Sequence, residues 1–126
     1  MKSVLAIDIG GTFIKYGLIH ENYRISNKGK VKTPNTTTED FLNELKSLYD
    51  SYKEEIRGIA ISAPGRISEE GVMLTAGILE YLEGFNLAQE LSEVCDGISV
   101  TVENDGKAAA SVSYTHLRAH ETLANL

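Results

Sequence analysis

At 126 residues and a formal net charge of −6, the chain has the length of one domain and the wrong sign for a broad nucleic-acid-binding surface. Hydrophobic content of 42% and charged content of 24% are ordinary for a globular protein, and the single cysteine, Cys95, excludes an internal disulfide and a cysteine-rich zinc site. No apolar run has membrane-spanning length, and Met1-Lys2-Ser3-Val4 leads straight into a strand-like run, so no signal peptide, no membrane contact and a cytoplasmic location are expected.

Val4-Leu5-Ala6-Ile7 is a continuous apolar run, the pattern of a buried central strand. Gly10-Gly11 predicts a tight turn, Phe13 to Ile19 a second strand, Glu21-Asn22 another turn, and Arg24 to Lys32 a more polar third strand. Strands joined by such short turns are antiparallel. Thr37 or Thr38 is suited to cap a helix, with Glu39 and Asp40 favourable in its first turn. Phe41, Leu42, Leu45, Leu48, Tyr49, Tyr52 and Ile56 follow at helical spacing and predict a core-facing stripe, with Gly58 ending the helical region. Ile59 to Ser62 reads as a short buried strand and Ala63 to Arg66 as the loop at its end. Thr75 to Gly84 carries no clear pattern. Asn86 with Gln89 resembles a capping box ahead of a short helix whose face is Leu87, Leu91 and Val94, and Asp96-Gly97 turns the chain into a last strand over Ile98 to Val102. The order β-β-β-α-β-α-β-α predicts an α/β domain with a mixed sheet and packed helices.

Two strand ends carry residues suited to chemistry. After the first strand, Asp8-Ile9-Gly10-Gly11-Thr12 joins a carboxylate to a glycine turn. Glycines let the backbone approach a phosphate closely, and successive N–H groups can point at its oxygens. Thr12 adds a hydroxyl, Lys15 a positive charge, and Asp8 a ligand for magnesium, most naturally through water. An ordinary hairpin has the same composition, and the segment is neither a G-x-G-x-x-G nor a Walker-type loop, because a strand follows the glycines. At the last strand, Val102-Glu103-Asn104-Asp105-Gly106 places Asp105 where a carboxylate can accept a hydroxyl proton, and Asn104 where an amide can both donate to and accept from vicinal sugar hydroxyls. An Asn-Asp turn and helix cap is the alternative. Between them, Ser62-Ala63-Pro64-Gly65 ends a strand in a rigid loop able to present backbone groups to a sugar.

Asp-x-Gly-Gly-Thr, Gly-Ile-Ala-Ile-Ser-Ala-Pro-Gly and Val-Glu-Asn-Asp-Gly-Lys-Ala-Ala-Ala stand in the order and spacing of the ROK family, which the chain resembles from Met1 to Ala110, Gly84-Phe85-Asn86-Leu87 included. That family contains bacterial sugar kinases and related repressors on the actin-like, ribonuclease H-like ATPase fold. The resemblance implies ATP-dependent phosphorylation of a hexose or hexoside hydroxyl. It implies Asp105 as general base, Asn104, Gly65 and Asp105 as sugar contacts, and Asp8, Gly10, Gly11 and Thr12 as holders of the ATP phosphates and magnesium. Two positions depart from the family's habit. Ile78 precedes Leu79 where many members have Asn, and Phe13 stands where Lys is frequent. Together with the Ser-Ala-Pro-Gly and Phe-Asn-Leu wording, this leaves sugar identity open, with a lean to glucose or β-glucosides. The alternative within the family is a fragment of a sugar-responsive transcriptional repressor. Those carry an amino-terminal helix-turn-helix, whereas Met1 here lies just before the first strand.

The resemblance covers about the first of two lobes, so the chain is expected to be the amino-terminal lobe of a kinase and not to turn over by itself. It implies small-molecule sugar and ATP as partners, no nucleic acid and no zinc in this lobe, and leaves open a homodimeric parent. Val112 to Thr122 matches, residue for residue, the translation of a common transposase-type sequencing-library adapter, and Leu123 to Leu126 fit what usually follows it. Residues 1–111 are therefore taken as the lobe and 112–126 as an artefactual tail. His116 and His120, spaced i, i+4, fall in that tail and lack the Glu of an H-E-x-x-H site, so no metal is expected on them.

Overall fold

A computed structural model describes residues 2–75 and 79–104. Its sheet begins as the glycine and turn signals require. Strand β1 (Ser3–Ile9) turns through residues 10–12 into β2 (Phe13–Ile19), and β2 turns through residues 20–24 into β3 (Ile25–Lys32). Both pairings are antiparallel. The second turn closes with Tyr23 N–H donating to the His20 carbonyl at 2.8 Å, and Tyr23 takes a positive φ of 63°. Two crossovers then add parallel strands. Helix α1 (Thr38–Tyr52) leads to β4 (Ile56–Ala63), and helix α2 (Leu87–Val94) leads to β5 (Ser99–Asn104). The five strands lie in the order β3-β2-β1-β4-β5, with β1 parallel to β4 and β4 parallel to β5. This is the mixed sheet expected for a ribonuclease H-like lobe. The last helix of the expected order lies outside the described residues.

One face of the sheet holds the core. Leu5, Ile7 and Ile9 of β1 and Ile59, Ile61 and Ala63 of β4 cluster with Phe41, Leu45, Leu48 and Tyr49 of α1 and with Leu87 and Leu91 of α2. Burying each of the larger side chains contributes about 1.5–3 kcal/mol. Both helices start on side-chain caps. Thr37 Oγ1 accepts from the Asp40 N–H at 3.1 Å, and Asn86 Oδ1 accepts from the Gln89 N–H at 3.0 Å. Tyr49 donates to Asp96 Oδ2 at 2.9 Å, and burial first, then this bond, pushes the phenol up to about 12. Burial likewise pushes the Cys95 thiol up to about 11, a structural rather than a reactive cysteine.

Four local expectations are corrected. Ile56 opens β4 instead of closing α1, and Gly58 lies inside β4 opposite Ser99 rather than ending a helix. The chain leaves the helix at Lys53, and the Glu55 N–H donates to the Tyr52 carbonyl. On α2 the buried stripe is Leu87, Leu91 and Cys95, while Val94 is exposed. Strand β5, expected over Ile98 to Val102, runs instead from Ser99 to Asn104 at the edge of the described sheet, with only Val102 buried. Residues 66–74 and 84–86 are ordered by cross-bonds, including Met73 N–H to the Phe85 carbonyl and Gly84 N–H to the Met73 carbonyl, on either side of a short 3-10 turn at Glu80–Leu82.

Candidate functional site

The parallel strands β1, β4 and β5 end at one edge of the sheet, and Asp8, Gly10, Gly11, Thr12, Gly65 and Asn104 lie at or just beyond those ends, with Lys15 on the neighbouring β2. Asp8 is the penultimate residue of β1, partly buried, with Lys15 of β2 and Ser62 of β4 as its register partners. Ser62 in turn faces Glu103 of β5, and Lys15 faces Lys30 of β3. In-register partners share a face. A polar row Lys30–Lys15–Asp8–Ser62–Glu103 therefore crosses all five strands on the face opposite the main core. In sequence Asp8 and Lys15 carry assigned roles, and Ser62 and Glu103 fall inside motifs without one; that they form a single row with Lys30 follows only from the register.

Beyond Asp8, the turn of Gly10, Gly11 and Thr12 is narrow. The Gly10 N–H donates to the Phe13 carbonyl at 3.0 Å, closing the hairpin. A Cβ on Gly10 would stand 2.8 Å from that same oxygen, so glycine is required here for space. The Gly10 N–H is thus committed to the fold. The N–H groups of Gly11 and Thr12 have no acceptor among the described residues. Phe13 is 41% exposed beside the turn, with Lys30 Nζ 4.3 Å from its ring centroid, a cation–π contact.

At the end of β4, Gly65 has φ +85°, and a Cβ there would overlap the Thr75 carbonyl oxygen. The loop is pinned on both sides. The Arg66 N–H donates to Thr75 Oγ1 at 2.9 Å, and the Arg66 carbonyl accepts from the Leu74 N–H at 2.8 Å. Across the gap, Asn104 Nδ2 donates to the Gly65 carbonyl at 2.9 Å, tying the end of β5 to the loop. The structure thus joins Gly65 and Asn104, two of the three sugar contacts implied by the resemblance. Alongside them a cavity of about 370 Å³ is lined by Arg66, Ile67, Ser68, Glu69, Val102, Glu103 and Asn104. Asp105, next after Asn104, lies outside the described residues, as do Ile78, His116 and His120.

Among the described residues no group of three or more His, Cys, Asp or Glu side chains is placed to hold a metal ion, and no helix is long and apolar enough to cross a membrane.

Comparison with known proteins follows the same lines. An N-acetylmannosamine kinase of Salmonella newport is 39% identical over 115 residues, covering 89% of this chain and 39% of that protein. The chain therefore spans about two fifths of the length of the curated relatives it matches. A ROK family glucokinase from Streptomyces griseus, solved in complex with glucose and AMPPNP, superposes with a TM-score of 0.75 at 29% identity over 86% of this chain and 35% of that one. A ROK family protein from Streptococcus pneumoniae, solved in complex with sucrose, gives 0.74 at 31% identity over 94% of this chain and 39% of that one. With a match to the ROK family over residues 4–126, the chain belongs to that family.

Proposed function

We propose that the full-length protein carrying this lobe transfers the γ-phosphoryl group of ATP to a hydroxyl of a hexose or hexose derivative. The observation that carries this reading is the convergence at one sheet edge. The glycine turn after β1 and the Gly65–Asn104 loop and cavity after β4 and β5 open at the carboxyl ends of three parallel strands, where ligands bind in open α/β sheets. The names of the relatives, kinases of glucose and of N-acetylmannosamine, support the same chemistry.

In this mechanism the Gly11 and Thr12 N–H groups, with the Thr12 hydroxyl, hold phosphate oxygens. Gly10 provides the room, and Lys15 offsets charge from the neighbouring strand. Asp8 fits a hard cation that takes one carboxylate, phosphate oxygens and otherwise water. When bound, magnesium neutralises charge on the phosphates. Gly65 and Asn104 hold the sugar, and Asp105 accepts the proton of the attacking hydroxyl as the new O–P bond forms and ADP leaves.

Full-length protein with ATP, magnesium and a panel of glucose, mannose, N-acetylmannosamine, N-acetylglucosamine and a β-glucoside is expected to form sugar phosphate from at least one of them. The 126-residue chain alone is expected to form none above a blank, because one lobe cannot close water out of the reaction. Absence of product with the full-length protein on every sugar would overturn the kinase reading. Sugar binding without turnover would favour a repressor.

We also propose residues 1–111 as the lobe and 112–126 as foreign sequence. The support is the adapter match, although the family match extends to residue 126. Deleting 112–126 is expected to leave the melting temperature and helicity unchanged within error, and a large loss of either would refute it.

A further inference from the structure

We propose that Thr33 is a positioning residue for the phosphate turn, aiming the Gly11 N–H at the ligand. The inference rests on the reading of residues 10–12 as a phosphate cradle. Thr33 follows β3 directly and is only 4% exposed, although it lies between a lysine and a proline in an otherwise polar stretch. Its hydroxyl donates to the Gly10 carbonyl at 2.7 Å, and its N–H donates to the Thr12 carbonyl at 2.9 Å. One residue therefore grips both ends of the turn.

Accounting for the backbone groups of the turn shows what this does. Three residues bring three N–H and three C=O groups. The Gly10 N–H is spent on the Phe13 carbonyl. The Gly10 and Thr12 carbonyls are spent on Thr33. Among the described residues the Gly11 and Thr12 N–H groups, the Gly11 carbonyl and the Thr12 hydroxyl remain, so the turn is left richer in donors than in acceptors.

Direction follows from peptide geometry. In a trans peptide the C=O of one residue and the N–H of the next point to opposite sides of the chain. Holding the Gly10 carbonyl toward Thr33 therefore turns the Gly11 N–H away from Thr33 and outward. Without the hydroxyl, this glycine–glycine peptide can rotate and present a carbonyl oxygen to the phosphate instead. Glycine on both sides makes the rotation easy, which is why an outside clamp matters at this peptide.

The test uses the full-length protein. Thr33→Val keeps the side-chain shape and the backbone bond to Thr12 but removes the hydroxyl donor. The KM for ATP is expected to rise about three- to tenfold, the scale of one hydrogen bond, with kcat and the sugar KM within about twofold of the parent. Thr33→Ser, which restores the donor, is expected to return the ATP KM to within about twofold. A merely structural role would lower the melting temperature in both variants without this split. An unchanged ATP KM in Thr33→Val, or equal shifts in the Val and Ser variants, overturns the proposal. If Thr33→Val does not fold, Thr33→Cys, a weaker donor of similar size, takes its place with the same two outcomes. Gly11→Val separates the levels. If it raises the ATP KM and Thr33→Val does not, the Thr33 assignment fails alone. If Gly11→Val also leaves the ATP KM unchanged, the phosphate reading of the turn fails with it.

Discussion

In the full-length protein, Asp105→Asn is expected to lower kcat at least about 10²-fold on the best sugar, the usual scale for a lost general base, while the ATP KM stays within about twofold. Asparagine keeps the size and polarity of the side chain but cannot take the proton of the attacking hydroxyl. The substitution is therefore aimed at the chemical step and not at binding. Position supports the assignment. Asp105 comes next in sequence after Asn104, which ends β5, is tied to the Gly65 loop and lines the cavity beside Arg66–Glu69. Steady-state kinetics in both substrates, with ATP analogue affinity by calorimetry, check the outcome. Near-native kcat in Asp105→Asn would make the residue a helix cap and remove the base from the mechanism.

The strands that build the site were legible because their signals are local. Apolar runs such as Leu5-Ala6-Ile7 and Ile59-Ala60-Ile61 mark buried strands, and Gly10-Gly11 marks the hairpin between β1 and β2. Residues at strand ends could therefore be named before any contact was known. The errors came where a period continued by coincidence. Ile56 follows Tyr52 by four residues, so it extends the α1 stripe on paper, and no Gly or Pro interrupts Lys53-Glu54-Glu55. Val94 follows Leu91 by three residues, which is also helical spacing, yet Leu87, Leu91 and Cys95 keep the i, i+4 spacing that faces the core. Thr75 to Gly84 carries no pattern in sequence, and the described residues at its two ends are held by bonds to distant residues, Thr75 to Arg66 and Gly84 to Met73, which leave no periodicity. Thr33 was invisible for the same reason. Its partner Gly10 is 23 residues away, and a lone threonine after a polar strand gives no signal of its own.

Gly65→Val is expected to damage the sugar side as Asp105→Asn damages the chemistry, with a different kinetic signature. Gly65 holds φ +85°, where a β-branched residue is strained by about 1–3 kcal/mol, and its new Cβ would overlap the Thr75 carbonyl oxygen. The overlap is with backbone, so no side-chain rotation relieves it. The loop itself must move, and the Asn104 amide then loses the Gly65 carbonyl it holds at 2.9 Å. Displacing a substrate-positioning segment by about 1 Å is enough for a roughly 10²-fold loss. The expectation is therefore a fall of at least about 10²-fold in kcat/KM for sugar, with ATP affinity nearly unchanged, since the glycine turn after β1 is untouched. Gly84→Ala provides the control. Gly84 has a similar φ of +80°, but an added Cβ there meets nothing within 4 Å. It should lose about 1 kcal/mol of stability from backbone strain and keep its sugar KM. Equal loss of kcat/KM in the two variants would mean that strain alone, and not the Gly65–Thr75–Asn104 junction, sets the sugar loop. A Gly65→Val protein with native sugar KM would remove the loop from the sugar site altogether.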